Sequence, residues 1–67
     1  MPINIALKVA IAATGRKQKD IARRARIDQW RLSRIVQRDV EARPEEKARL
    51  ARLLGASEAT LFGEAPR

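Results

Sequence analysis

Between Asp28 and Gln37 the aliphatic residues are Leu32, Ile35 and Val36, a spacing that places all three on one side of a helix. A helix this short, with so narrow an apolar stripe, is held by tertiary packing rather than by its own propensity. The chain therefore has to fold as short helices that cover one another. Its 67 residues suffice for one domain, spanning 1–67, with a small core and little room for a deep catalytic cleft.

Breakers and caps divide the rest of the sequence. Asn4 is suited to cap a first helix whose Leu7, Ala10, Ile11 and Thr14 follow three- and four-residue steps, with Gly15 as its stop. Ile3 and Ile5 are expected to join the same core. A second helix runs from about Lys17 to Ala25, with Ile21, Ala22 and Ala25 inside and Lys19, Arg23 and Arg24 outside. Arg26 and Ile27 form a break, and Asp28 caps a third helix, about Gln29 to Gln37.

Residues 37–43 read as a loop. Pro44 in a first turn, followed by Glu45 and Glu46, marks a fourth helix, with Arg49 and Arg52 toward its negative end and Gly55 as its stop. Ala48, Leu50, Ala51, Leu53 and Leu54 form its apolar side, and Leu53 is expected to be essential to the core. Ser57 caps a last helix carrying Ala59, Leu61 and Phe62 before Gly63, and the tail 64–67 is expected to fray. Five short helices and no strand make an all-α domain.

Charge is concentrated in the middle. Residues 16–43 carry ten basic side chains against four acidic ones, a net +6 of the chain's +7. That segment is expected to face a polyanion while its flanks support it. The chain has neither Cys nor His, which removes disulfides, the common zinc ligands and the usual general base, so no metal, cofactor or catalysis is expected. Glu45 and Glu46 are explained by their place in a helix first turn. No run approaches the roughly 18 apolar residues of a membrane span, and no basic leader precedes the apolar N-terminal stretch. A cytoplasmic protein without a cleaved leader is the expectation.

With Leu32 set at zero, Trp30, Arg34 and Gln37 fall roughly 140° to 200° round the third helix, and Arg31 and Ser33 lie on its shoulders. These groups suit base edges in a DNA major groove. Arg bonds both guanine acceptors, Gln pairs bidentately with adenine, and an apolar surface meets the thymine methyl. Gln29 joins them because the first turn of a recognition helix projects toward the groove floor. The candidate base readers are thus Gln29, Trp30, Arg31, Ser33 and Arg34. Phosphate contacts are assigned to Lys17, Gln18, Arg38 and Arg43, at helix ends and loop edges. Two plainer readings stand beside these: Trp30 as a core side chain, and Gln18 as a solvated first-turn residue.

The segment Lys17 to Val36 resembles the helix-turn-helix of the lambda-repressor-like, or Xre, family of bacterial and phage regulators. Gln18, Ile21-Ala22, Ile27 and Leu32-Ser33-Arg34-Ile35 carry the likeness, and the unit extends to about Arg38. Downstream, Pro44 to Lys47, Arg49 to Gly55 and Ser57 to Phe62 resemble the family's fourth and fifth helices. The resemblance implies that Gln18 touches a phosphate and braces Gln29, and that the chain binds near-palindromic operators as a homodimer. Two positions depart from the pattern. Arg26 stands where the turn usually has Gly, so it either accepts a left-handed conformation or forms a different turn. Arg38-Asp39 replaces the glycine often found after the third helix.

The leading expectation is a sequence-specific regulator of transcription, a repressor, that binds double-stranded DNA. A second reading is an antitoxin or another partner-binding regulator, which an uncovered apolar patch at Leu61-Phe62 would favour. The third, RNA or non-specific nucleoid binding, fits less well, because the deep, narrow major groove of A-form RNA is closed to side chains.

Overall fold

The computed structural model describes residues 3–63, so the expected fraying of 64–67 lies outside the described residues. Five helices follow in order: α1 Ile5–Ala13, α2 Gln18–Arg24, α3 Gln29–Val36, α4 Pro44–Leu54 and α5 Glu58–Phe62. No strand occurs among the described residues, and the architecture is all-helical. Lys17 and Ala25 flank α2 as its caps and Gln37 caps α3, so two of the expected helices end a residue early.

Each helix places one large side chain at a common centre: Leu7, Ile21, Leu32, Leu50 and Leu61, all at most 1% exposed. Ile11, Ala22, Ala25, Ile27, Ile35, Val36 and Ala42 complete the buried cluster. Ala42 and the half-buried Val40 belong to the segment between α3 and α4, so this loop is pinned to the core.

Asn4 does more than cap. Its Oδ1 accepts the Leu7 N–H at 3.0 Å, its Nδ2 donates to the Leu61 carbonyl at 2.9 Å, and its own N–H donates to the Val36 carbonyl at 2.7 Å. One buried residue thus ties the start of α1 to the ends of α5 and α3. A buried polar group is tolerated when its donors and acceptors are met in this way.

That inward turn of Asn4 corrects the expectation for its neighbours. Ile3 and Ile5 are exposed, Ile5 at 63%. Leu7 and Ile11 form the buried stripe of α1, and Ile5 lies about 160° round from Leu7. Val9 faces solvent with Ile5. On α4, Leu50 takes the central place, Leu53 is only half-buried and Ala48 is exposed. Ala59, on α5, is exposed as well.

Candidate nucleic-acid interface

Two helix ends shape the candidate surface. At the end of α2 the Arg26 N–H donates to the Arg23 carbonyl and the Ile27 N–H to the Ala22 carbonyl, at 3.1 and 2.9 Å. This pattern requires a left-handed residue between cap and core. Arg26 supplies it with φ 59°, so the expected departure takes the left-handed conformation and not a different turn. The same device closes α3: Arg38 has φ 64°, and the Arg38 and Asp39 N–H groups donate to the Ile35 and Arg34 carbonyls. Both arginines adopt a conformation that glycine takes without a Cβ penalty.

The turn delivers Ile27 to the core and Asp28 to the start of α3, where its carboxylate accepts the Trp30 and Arg31 N–H groups at 3.0 and 3.2 Å. With α3 seated on Leu32, Ile35 and Val36, Gln29, Trp30, Arg34 and Gln37 face outward. Trp30 is 69% exposed, which answers the core alternative. It stands as a ridge between two open hollows of roughly 250 Å³ each. Gln18, Lys19, Gln29 and Ser33 line one, and Asp28, Arg31, Arg34 and Val40 line the other.

Gln18 and Gln29 therefore share a surface. Among the described residues no hydrogen bond joins them. Lys17 is exposed as the cap of α2. Arg38 and Arg43 are exposed at the two ends of the loop between α3 and α4, outside both hollows.

Arg31, a candidate base reader, also makes a cross-helix ion pair. Its Nε donates to Glu46 Oε2 at 2.7 Å and its Nη2 to Glu46 Oε1 at 2.9 Å, with a longer bond from Nη2 to the Glu41 carbonyl. Its guanidinium joins α3 to α4. Glu46 is 4% exposed and also accepts the Arg43 N–H at 2.8 Å. The Arg31 hydrogen bonds, outweighing burial, hold the Glu46 carboxyl below its ordinary range, and the same pairing raises Arg31.

A second acid also organises basic residues. Asp20 lies 3.2 Å from Arg16 and 3.5 Å from Arg24, and chiefly the Arg16 hydrogen bond lowers its pKa. Lys17, Lys19, Arg23, Arg34, Arg38 and Arg43 are exposed and join no ion pair among the described residues. Lys19 and Arg23 were assigned no contact by sequence, yet they meet Gln29 across a third hollow beside Ala22 and Ile27. Single-helix projections could not reveal that meeting of α2 with α3. No cluster of metal-ligating side chains exists among the described residues. No helix among them is long and apolar enough to cross a membrane.

Comparison with known proteins gives no matching family model, no matching curated protein and no matching solved structure.

Proposed function

We propose that this chain is a sequence-specific double-stranded-DNA-binding regulator of transcription, a cytoplasmic repressor in which α2, the Arg26 turn and α3 act as a helix-turn-helix of the lambda-repressor-like kind. The observation that carries the reading is the outward face of α3. Gln29, Trp30 and Arg34, with Ser33 at their side, stand over a fully buried stripe and beside unpaired cations of α2. Arg34 and Gln29 supply hydrogen bonds to base edges, and Trp30 supplies apolar contact. Lys17, Gln18, Arg38 and Arg43 provide the sequence-independent attraction to phosphates. No catalytic step and no cofactor is part of the proposal.

Homodimerisation on a palindromic operator belongs to the same proposal. Selection of bound duplexes from a random pool at physiological salt tests both parts. A recurring palindrome is the expected result. Recovery of no motif, or equal affinity for duplex RNA, would overturn the reading. The partner-binding alternative called for an open apolar patch at Leu61-Phe62. Leu61 is buried and the Lys47 Nζ lies 5.6 Å from the centroid of the Phe62 ring, so that patch does not support it.

A further inference from the structure

A different surface of the molecule combines charge with an apolar floor. Arg24 from the end of α2 and Arg49 and Arg52 from α4 surround Leu53 in an open hollow of roughly 390 Å³ that no carboxylate lines. It shares no residue with the three hollows along α2 and α3. Arg49 is fixed there, because its Nε donates to the Ala25 carbonyl at 2.7 Å and both terminal nitrogens remain available. Arg24 is held on one side by Asp20 at 3.5 Å. Arg52 is exposed and has no partner among the described residues.

We infer that this hollow docks an acidic, leucine-like segment of a partner protein. Guanidinium groups match carboxylates through paired N–H donors and shed water more readily than an ammonium group. A half-buried leucine among them calls for an apolar side chain from the same ligand. A short acidic segment with interspersed apolar residues carries both chemistries, whereas a nucleic-acid backbone offers phosphates and nothing for Leu53. Fixing Arg49 in advance lowers the ordering cost of such a contact. The inference stands apart from DNA binding by α3 and does not depend on it.

Fluorescence anisotropy with two labelled probe peptides of equal charge, one of Glu and Leu and one of Glu and Ser, tests the inference, with a random-sequence DNA duplex measured in parallel. The Glu/Leu peptide should bind more tightly, and Arg52→Glu or Arg24→Ala should weaken it about tenfold while duplex affinity changes much less. Circular dichroism checks that each variant folds, and Arg52→Ala replaces the charge reversal if that variant does not. Equal binding of the two peptides, or unchanged peptide binding in the variants, would overturn the inference. Loss of duplex affinity with peptide binding intact would instead make the hollow a nucleic-acid contact.

Discussion

Arg31 and Glu46, fifteen residues apart, close a two-point clasp between α3 and α4, and the same carboxylate caps the first turn of α4 through the Arg43 N–H. Replacing Glu46 by Ala removes the acceptor for three donors at once. A loss of roughly 1–3 kcal/mol is expected in urea unfolding. An unchanged midpoint would show that the clasp adds nothing to stability.

The clasp also sets a pH dependence. The Glu46 carboxyl is lowered from an ordinary value of 4.5, so its contribution is complete above that value and fades as pH falls through the folded-state pKa. Asp20 has the same sign but is more exposed to solvent. Thermal midpoints recorded from neutral to acid pH should fall below the ordinary glutamate range. Glu46→Gln should flatten that fall, and an equally steep curve in the variant would assign the acid sensitivity elsewhere.

On the DNA side, Arg34→Ala should cost about 1–3 kcal/mol of binding and relax preference at one base position. Arg31→Ala should leave base preference intact, since its guanidinium is occupied by Glu46. Lys17→Ala and Arg38→Ala should weaken all duplexes evenly and flatten the salt dependence. Binding isotherms on matched and mismatched duplexes separate these outcomes. An even loss for Arg34→Ala would make it a phosphate contact.

Arg26 occupies left-handed backbone without being glycine. Arg26→Gly should raise stability by about 1 kcal/mol, and a β-branched replacement should lower it. Chemical denaturation of both variants measures the difference. A destabilised Arg26→Gly would mean that the arginine side chain itself supports the turn.

Leu50→Ala should cost about 2–5 kcal/mol, and Leu53→Ala less, because Leu50 is fully buried and Leu53 is not. Ile5→Gln should change stability by no more than about 0.5 kcal/mol at its exposed position. Equal losses at Leu50 and Ile5 would contradict the placement of the core.

Helix positions were legible because caps are local. The helix-starting signals of Asn4, Asp28, Pro44 and Ser57 reach only a few residues along the chain, and each begins a helix as expected. The outward placement of Trp30 and Arg34 was legible for the same reason, since one apolar stripe orients a whole short helix. Ile5 was misread because residue type outweighed phase on α1, whose composition is apolar nearly all round, and Ile3 lies ahead of that helix, before its Asn4 cap. The pairing of Arg31 with Glu46 was not legible because its partner lies on another helix, and a helical projection carries no information about what crosses it. Glu46 gave only its local signal, that of a first-turn acid.

The bond from Asn4 to the Leu61 carbonyl spans 57 positions of sequence. Leu61 also fills one of the five places at the centre of the molecule. During synthesis, therefore, Asn4 caps the first helix at once but cannot complete its hydrogen bonds until the fifth helix has left the ribosome. The segment that would engage DNA is complete in sequence before the centre of the molecule is filled, and a nascent chain stopped short of Leu61 leaves the buried Asn4 Nδ2 without that acceptor.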